Sequence, residues 1–427
     1  MTEDFLHYLW KHRLFDNQNL TTKTGEKIQV IKCGEHNHNA GPDFSNARIM
    51  VENTAWAGNV ELHIHSSDWQ KHQHQKDKSY DNVVLHVVYE HDKEIKNSVG
   101  GYIPVLELKN RIPVNLYKNY ERLKQSEDWI PCAKQINFVD DFSVQLWLNR
   151  MIIERLESKV SLIDQELTKL NNDWDECFYR FLSKNFGFKV NAMPFQWLAQ
   201  SLPYIYIQRQ QSSLTQIESL LYGQAGMLEK EYADEYPNAL KKEYIHLKNK
   251  FSLKSIEGSA WKYLRLRPYN FPTIRISQLA NLFYQNQKFF SAILDCEKLT
   301  EVKELFETKT SIYWDTHYKF DSESANREKN LGKSSIHNII INTVVPFLFL
   351  YSKKKKDDAF QNRALQFLED LPSENNKITR QWMALGLENK NAHQSQALLQ
   401  LKNEHCSQKN CLNCGVGNKL LQLSKTP

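Results

Sequence analysis

Carboxylates and imidazoles alternate along one short run of this sequence, at a spacing that could bind a metal ion. Residues 59–65 alternate polar and apolar types, which predicts a β-strand that carries Glu61, His63 and His65 on one face. Asp43 opens the preceding β-prone run, so strand pairing would bring its carboxylate close to Glu61. Ligands of this kind suit a hard divalent cation. We therefore predict a metal site with Asp43, Glu61 and His65 among its ligands.

The same residues resemble a known catalytic pattern. In PD-(D/E)xK nucleases a Pro-Asp pair opens one strand and Glu-x-Lys follows on the next; here Pro42-Asp43 is followed by Glu61-Leu62-His63. The resemblance implies that Asp43 and Glu61 hold Mg²⁺ or Mn²⁺, and that His63, at the lysine position, orients or activates the attacking water. A histidine performs that role only in its neutral form. Asp43, Glu61 and His63 are accordingly the predicted catalytic residues.

The elements that must position these residues can be recognised in the first part of the chain. Apolar residues at helical spacing and β-branched runs between glycines and asparagines predict an alternation of helix and strand. The predictions are a helix at 4–14, strands at 28–32, 43–51, 59–65, 83–89 and 103–108, a polar segment at 68–74 and a helix at 114–123. This order fits the αβββαβ core that the nuclease resemblance implies. A second Glu-x-Lys, at Glu107, is predicted to be a solvated strand end.

Histidine is concentrated in this block of the sequence. Eight of the fifteen histidines fall between residues 36 and 91, namely His36, His38, His63, His65, His72, His74, His86 and His91. A His-x-His pair on a strand places two imidazoles on one face, an arrangement that binds Zn²⁺, Mn²⁺ or Fe²⁺. A second hypothesis is therefore a metalloenzyme acting on a small molecule. Its ligands would be Glu61, His63, His65 and His86. Alternatively, these histidines have no functional role and are polar residues on an exposed sheet face, or are satisfied by buried carboxylates such as Asp68 or Asp77.

Cysteines near the C-terminus have the spacing of metal ligands. Cys406, Cys411 and Cys414 follow the pattern C-x4-C-x2-C in a turn-rich segment, which could bring three thiolates together. A fourth ligand could be His405, giving a zinc site, or the distant Cys132. The second choice is similar to the iron–sulfur staple of some PD-(D/E)xK nucleases, in which one cysteine precedes a C-terminal trio. We predict that this tail holds zinc or an iron–sulfur cluster.

The remainder of the chain has a helical pattern. Apolar residues recur at three- and four-residue steps through most of the sequence after Phe142. We predict a mixed β-sheet domain over residues 1–125, a linker over 126–141, a helical domain over 142–402 and a cysteine-rich metal-binding tail over 403–427. The predicted fold class is α+β, in which a restriction-endonuclease-like sheet domain precedes a large all-α domain that ends in a cysteine knuckle.

One segment of the helical domain mixes cations with aromatic residues. Arg265, Arg267 and Arg275 lie in a run that also contains tryptophan, tyrosine and phenylalanine. Because arginine binds phosphates through paired N–H groups and aromatic rings stack on bases, the segment could hold the backbone of DNA or RNA. Alternatively, Arg265 and Arg267 anchor acidic residues such as Glu218 between helices, and the prolines fix a rigid connector.

Composition limits the remaining classes of protein. The chain has 427 residues, a formal charge of +5 and 25% charged residues, which permits nucleic-acid binding without requiring it. It contains no run of about 18 apolar residues, so no membrane span is expected. Seven cysteines, an odd number and mostly scattered, favour a reducing compartment, and the N-terminal residues are unlike a signal peptide. We predict a cytoplasmic protein.

Taken whole, the sequence resembles an uncharacterised bacterial family, the domain of unknown function 2851. The resemblance rests on the segments GPDF, GNVELH, LYGQAG and RLRPYNFPTIR and on the C-terminal cysteines. It implies a cytoplasmic protein of unknown activity and supplies no mechanism. The leading functional hypothesis is therefore a nucleic-acid phosphodiesterase that depends on Mg²⁺ or Mn²⁺, or a degenerate relative of one. The rival is a non-catalytic scaffold that binds nucleic acid or a protein.

Overall fold

Residues 1–147 and 401–423 form one unit of the chain, and residues 148–400 form a second. The computed structural model describes residues 1–37 and 39–423. His38, one of the clustered histidines, and the last residues of the predicted tail, 424–427, lie outside the described residues. The architecture is mixed α/β, with a mixed sheet near the N-terminus followed by a large helical part.

The N-terminal part of the first unit alternates helices and strands in the order that the sequence patterns predict. Its elements are α1 (Glu3–His12), β1 (Ile28–Lys32), β2 (Glu35–His36), β3 (Phe44–Val51), β4 (Thr54–His65), α2 (Asp68–Lys71), β5 (Val83–Glu90), β6 (Val105–Glu107) and α3 (Val114–Gln125). Short 3-10 turns at His74–Lys76 and Lys78–Tyr80 lie between α2 and β5.

A six-stranded sheet is the centre of this unit. Its order is β1-β3-β4-β5-β6, and β2 also pairs with β3. Strand β3 is antiparallel to β1 and β4, whereas β4, β5 and β6 are parallel to one another. The register places Phe44 opposite Val60, and Glu61 opposite His86. The start of β3, the second half of β4 and the middle of β5 are thereby brought to one place.

Helix α1 packs its apolar stripe against the interior of this unit. Phe5, Leu6, Leu9 and Trp10 are fully buried, as their helical spacing predicts. The indole N–H of Trp10 donates to the carbonyl oxygen of Cys33 at 3.0 Å, which attaches the helix to the chain that follows β1. The opposite stripe of α1 is left for polar side chains.

A smaller apolar cluster fixes the segment between β4 and β5. Trp69 of α2 is fully buried and packs with Val88, Ile103 and Val105, among other residues. Val88 is the partner of His63 in the β4–β5 register, so Trp69 lies on the same face of the sheet as that imidazole. The cluster therefore holds the histidine-containing residues 72–74 over the polar face of β4.

The second unit is helical apart from one two-stranded sheet. Its elements are α4 (Asp141–Lys169, which begins before the unit boundary), α5 (Trp174–Phe186), α6 (Ala192–Ser201), α7 (Tyr204–Gln208), α8 (Leu214–Gln224), α9 (Glu235–Phe251), α10 (Pro272–Gln285), α11 (Phe289–Asp295), α12 (Leu299–Leu305), β7 (His317–Lys319), β8 (Ser322–Glu323), α13 (Lys333–Ile339), α14 (Val345–Lys355), α15 (Asp358–Asp370), α16 (Lys377–Ala384) and α17 (Ala392–Gln400).

One continuous helix, Lys333–Lys355, is apolar and long enough to cross a membrane by length and composition alone. It consists of α13, a π turn at Ile340–Val344 and α14. Of its most apolar window, 67% is buried inside the protein, as expected for a core helix. Pro346 stands in the first turn of α14, directly after the π turn, where a missing backbone N–H is tolerated.

The chain returns to the first unit after α17. A π turn at Leu401–Cys406 and a 3-10 turn at Cys411–Asn413 lead into α18 (Gly415–Leu421). The side-chain amide of Asn119 on α3 donates to the carbonyl oxygens of Leu420 and Leu421, at 3.3 and 3.2 Å. These bonds attach the end of α18 to α3.

Most of the elements predicted from sequence are confirmed. The predicted strand at 28–32 coincides with β1, and the one at 83–89 ends one residue before β5 does. Strand β4 begins at Thr54, earlier than predicted, because residues 54–58 pair with β3. These residues are largely exposed and lack the alternation of apolar and polar types on which the prediction depended. The helical pattern after Phe142 is confirmed as well, with β7 and β8 as additions.

Gly58 on β4 offers a test of how tightly the sheet is packed. A Cβ atom at this position would lie 2.4 Å from Cγ1 of Val84 and 2.5 Å from the carbonyl oxygen of Asn82. We expect Gly58→Ala to lower the free energy of unfolding by about 1–3 kcal/mol, since an overpacked site forces its neighbours to shift. Urea unfolding followed by circular dichroism measures the change. Gly332→Ala is the control, since nothing lies within 4 Å there; equal losses in both variants would contradict this account.

Candidate functional site

Two carboxylates meet where β3 begins and β4 nears its end. The backbone N–H of Asp43 donates to Oε2 of Glu61 at 3.0 Å, and the backbone N–H of Leu62 donates to Oδ2 of Asp43 at 2.9 Å. Glu61 is buried, with 5% of its surface exposed, and Asp43 is half-buried. The register of the two strands thus fixes both carboxylates side by side, as the Pro-Asp and Glu-x-His spacing predicts.

Helix α1 contributes a histidine that the sequence patterns did not single out. Nε2 of His7 lies 3.1 Å from Oδ2 of Asp43. Burial by itself would lower the pKa of His7 and raise that of Asp43, but the contact between them outweighs it. The pKa of His7 is therefore raised and that of Asp43 lowered, which favours an imidazolium–carboxylate pair.

Helix α1 contributes the third carboxylate of the site as well as His7. Glu3 lies in the first turn of the helix, half-buried, close enough for His72, His7 and Asp43 to act on it electrostatically. Burial raises its pKa, against the opposing effects of the two histidines. Glu3 therefore extends the acidic side of the site, and its position depends on how α1 packs on the sheet.

The second carboxylate oxygen of Glu61, Oε1, lies close to two imidazoles. Oε1 lies 3.3 Å from Nε2 of His74 and 3.6 Å from Nε2 of His63. Burial raises the pKa of Glu61, and the negative charge of Asp43 adds to this effect. Such a carboxylate is stabilised by any positive charge that enters the site, whether a proton or a metal cation.

His63 is the most enclosed of the site histidines on β4. Its Nδ1 lies 2.8 Å from Nε2 of His86, and its Nε2 lies 3.0 Å from Nδ1 of His72. Burial, together with the charges of His74 and His72, lowers the pKa of His63 to about 3. Its imidazole is therefore neutral at physiological pH, the form in which it could take the place of a catalytic lysine or bind a metal.

Three imidazoles form the tightest group of possible metal ligands among the described residues. One ring nitrogen from each of His63, His72 and His74 lies within 4.8 Å of the others. His72 ends α2 and His74 begins the next 3-10 turn, with Gln73 between them in a left-handed conformation at φ 60°. The ring of His74 stacks on Tyr80 at 3.8 Å. In the sequence, His72 and His74 are recognised only as a His-x-His pair within a polar segment and are not predicted as ligands.

The other histidine ligands predicted from sequence have different surroundings. His65 shares the face of Glu61 and His63, and its backbone N–H donates to Oδ2 of Asp68 at 3.0 Å. His86 is fully buried, and burial lowers its pKa well below the ordinary value. It supports His63 from β5, so its role in the cluster is to orient that imidazole.

The predicted ligands of the tail lie in the first unit. Cys132, Cys406, Cys414 and His405 are buried, and Cys411 is half-buried. None of the described cysteines is in a disulfide. The ring of His405 packs edge to face against Trp147, with 5.6 Å between centroids.

The three arginines have two different environments in the second unit. Arg265 and Arg267 are exposed. Arg275 is buried in α10, where its guanidinium donates to Gln278 at 3.0 Å, to Asn270 at 2.6 Å and to Ser335 at 3.0 Å. Burial lowers its pKa to about 10. The contacts of Arg275 are thus those of a residue that ties helix α10 to its neighbours.

Comparison with known proteins places the sequence in a family without giving it an activity. A family model described as "Protein of unknown function (DUF2851)" matches residues 3–377. No curated protein matches, and no solved structure matches. The matched range includes Asp43, Glu61 and the histidine cluster and ends before the cysteines of the tail.

The contact between His7 and Asp43 predicts a pH-dependent contribution to stability. Because the pKa of His7 is raised in the folded protein, its contribution to stability is fully present below the unfolded pKa of about 6.5 and is lost as pH rises through the folded pKa. Because the pKa of Asp43 is lowered, its contribution is present above the unfolded pKa of about 3.9 and is lost as pH falls through the folded pKa. We expect His7→Gln, which keeps a donor but no charge, to cost about 1 kcal/mol between pH 4 and 6.5. The cost should shrink at pH 8.

Urea unfolding at several pH values, with EDTA present to exclude bound metal, measures this difference. His246→Gln is the matched control, because His246 is exposed on α9 of the second unit. A cost for His7→Gln that is constant between pH 5 and pH 8 would contradict the assignment of a charged pair.

Proposed function

The chain belongs to this family of proteins of unknown function, and we propose that it is a metal-dependent phosphodiesterase acting on nucleic acid. The observation that carries the proposal is the pair of carboxylates, Asp43 and Glu61, joined through backbone N–H groups on paired strands and flanked by His63. In this proposal Asp43 and Glu61 hold Mg²⁺ or Mn²⁺, and His63 is the group beside the attacking water.

The order of the elements supports a core like that of PD-(D/E)xK nucleases. Leaving aside the two-residue strand β2, the chain runs α1, β1, β3, β4, α2, β5, which follows the αβββαβ order of that superfamily. The Pro-Asp pair precedes β3 and Glu61 lies on β4, the positions that the resemblance assigns to them. We propose this finer fold assignment together with the function.

The donor set fits a hard divalent cation. Each carboxylate uses one oxygen, Oδ2 in Asp43 and Oε2 in Glu61, to accept a backbone N–H, and these bonds fix its orientation. In this proposal the two carboxylates would hold the cation; burial and the charge of Asp43 raise the pKa of Glu61, so a positive charge beside it would stabilise its carboxylate. A cation there would polarise a phosphoryl oxygen of the substrate.

In this proposal His63 orients the attacking water through a neutral ring nitrogen. Its lowered pKa keeps it neutral, and Nδ1 is held by His86, so Nε2 is directed toward Glu61 and His72. In the proposed reaction Nε2 of His63 accepts a hydrogen bond from the water molecule that attacks phosphorus, the P–O bond to the leaving oxygen breaks, and the proton of the water passes to solvent. Solvent then returns a proton to the leaving oxygen.

The exposed arginines of the second unit are proposed as contacts for the phosphate backbone. Arg265 and Arg267 stand at the surface in a segment with aromatic residues. Arg275 is not included, because its guanidinium is engaged by side chains of its own unit. The proposed substrate is DNA or RNA.

Removal of the Glu61 charge tests the proposal directly. We expect purified protein to cleave single- or double-stranded DNA or RNA with Mg²⁺ or Mn²⁺, and Glu61→Gln to reduce the rate at least 100-fold, because a metal ligand is lost. Gel-based cleavage of labelled substrates, with EDTA as the blank, measures the rates.

Glu107→Gln is the matched control for this assay. Glu107 lies on β6 of the same sheet, belongs to the competing Glu-x-Lys segment and pairs with Lys23 at 2.9 Å. This variant should keep its activity. Cleavage that survives in Glu61→Gln, or that falls equally in both variants, would contradict the assignment, and a folded wild-type protein that cleaves none of the substrates would overturn the function.

The histidine cluster favours a second candidate function, a metalloenzyme that hydrolyses a small molecule. His63, His72 and His74, with Glu61 beside two of them, offer three imidazoles and one carboxylate, a set that suits Zn²⁺ or Mn²⁺. The neutral state of His63 favours this use too, since only an unprotonated ring nitrogen binds a metal.

Mn²⁺ titration separates this cluster from the cysteines, because thiolates prefer softer metals. We expect His72→Ala, an exposed position, to weaken Mn²⁺ binding at least tenfold, as loss of a ligand should. Isothermal titration calorimetry measures the affinity, and His246→Ala serves as the control. Tight binding combined with hydrolysis of a small phosphodiester, but not of nucleic acid, would favour this second candidate. Unchanged affinity in His72→Ala would exclude the imidazole ligand set.

A further inference from the structure

Four cysteines from two distant parts of the chain come together in the first unit. Cys132 lies in the turn that follows α3, and Cys406, Cys411 and Cys414 lie on the segment that returns to this unit about 270 residues later. Cys132, Cys406 and Cys414 are buried, and Cys411 is half-buried. The four thiols lie within electrostatic range of one another, because a negative charge on Cys411 or Cys414 would raise the pKa of Cys132, and one on any of the other three would raise that of Cys406.

Hydrogen bonds between the two segments account for this convergence. The ammonium group of Lys402 donates to the carbonyl oxygen of Trp129 at 2.9 Å, and that of Lys409 donates to the carbonyl oxygen of Lys124 at 2.9 Å. The backbone N–H of Gln135 donates to the carbonyl oxygen of Cys132 at 2.9 Å, which closes the turn that presents this cysteine. The tail is thus anchored to the residues that lead into the turn of Cys132.

Glycines allow the returning segment to fold tightly around its cysteines. A Cβ atom on Gly417 would lie 2.2 Å from the carbonyl oxygen of Cys411, and one on Gly415 would lie 2.7 Å from the ring of Trp147. A side chain at Gly417 would push α18 away from the turn that carries Cys411, and one at Gly415 would push it away from Trp147. The compact turn therefore depends on these two positions.

We infer that Cys132, Cys406, Cys411 and Cys414 bind a thiophilic metal centre, either a zinc ion or an iron–sulfur cluster. Both centres take four cysteine thiolates and differ in the metal that the thiolates hold. Cys132 supplies the fourth thiol, while His405 packs against Trp147. This set of thiols shares no residue with the carboxylate and histidine site, and the inference does not depend on the proposed activity.

The electrostatic setting agrees with this use of the thiols. Burial raises the pKa of Cys132 and Cys406, and that of Cys411 to about 12, so these thiols are protonated when no cation is near. Lys402 acts in the opposite direction on Cys406, and Lys409 on Cys411. A bound metal would replace the thiol protons and stabilise the thiolate forms, which burial otherwise disfavours.

Such a centre would stabilise the first unit by closing a long loop. It would join the turn after α3 to the C-terminal segment, a link between residues far apart in sequence, for which the loss of chain entropy in the unfolded state is large. The whole of the second unit lies within this loop.

Metal analysis of the full-length protein tests the inference. We expect protein purified without oxygen or chelator to contain zinc, or iron with acid-labile sulfide, in near-stoichiometric amount by mass spectrometry and sulfide assay. Cys411→Ser, at the most exposed of the four positions, should lower the metal content at least tenfold. Cys296→Ser is the control, because Cys296 lies in the second unit and its thiol contacts the carbonyl oxygen of Ala292 at 3.2 Å.

A second measurement does not require a variant to fold. In the wild-type protein the four cysteines should be protected from alkylation until a strong chelator is added, as peptide mass mapping would show. Zinc alone, or iron with sulfide, would each support the inference and identify the centre. Folded protein with neither metal, metal retained at full content by Cys411→Ser and Cys132→Ser, or immediate alkylation of all four thiols would overturn it.

Discussion

Two reciprocal hydrogen bonds hold the candidate site of this protein together: the N–H of Asp43 donates to Glu61, and the N–H of Leu62 donates to Asp43. A carboxylate that leaves water needs such donors, because burying it without partners costs several kcal/mol. Since these donors belong to the backbones of two paired strands, the sheet register positions both carboxylates. The imidazoles of His7 and His74 are arranged around the two groups that this register fixes.

Burial and direct contacts between side chains then set the charges of several groups in the site. His63 loses its tendency to be protonated, with its pKa lowered to about 3, whereas contact with Asp43 raises the pKa of His7 in spite of burial. The same burial raises the pKa of Glu61, with Asp43 adding to it. The buried Glu61 carboxylate, with neutral His63 beside it, is therefore a group that an added positive charge would stabilise. The two proposed metal sites differ in ligand type, with hard oxygen ligands in the sheet and soft sulfur ligands in the tail.

The arginines show why similar sequence contexts lead to different roles. Arg265, Arg267 and Arg275 lie within one short segment of mixed cations and aromatic residues. Helix α10 begins at Pro272, so Arg275 falls inside a helix nearly all of whose residues are buried, and its guanidinium is satisfied by polar side chains. The two preceding arginines lie outside that helix and stay at the surface. Composition alone contains no information about this boundary, which is set by packing.

The sequence by itself determined which elements form and which side chains share a strand face. The two-residue period that puts Glu61 and His63 together is a property of the extended backbone, and the β-branched runs of β1 and β5 are local as well. Only the tertiary structure decided that His7 and His72 join them, and that Cys132 meets the C-terminal cysteines. The reason is physical: side-chain alternation along a strand is fixed by covalent geometry, whereas contacts between distant segments depend on register, on the packing of α1 and α2, and on loop closures that leave no periodic trace in the sequence.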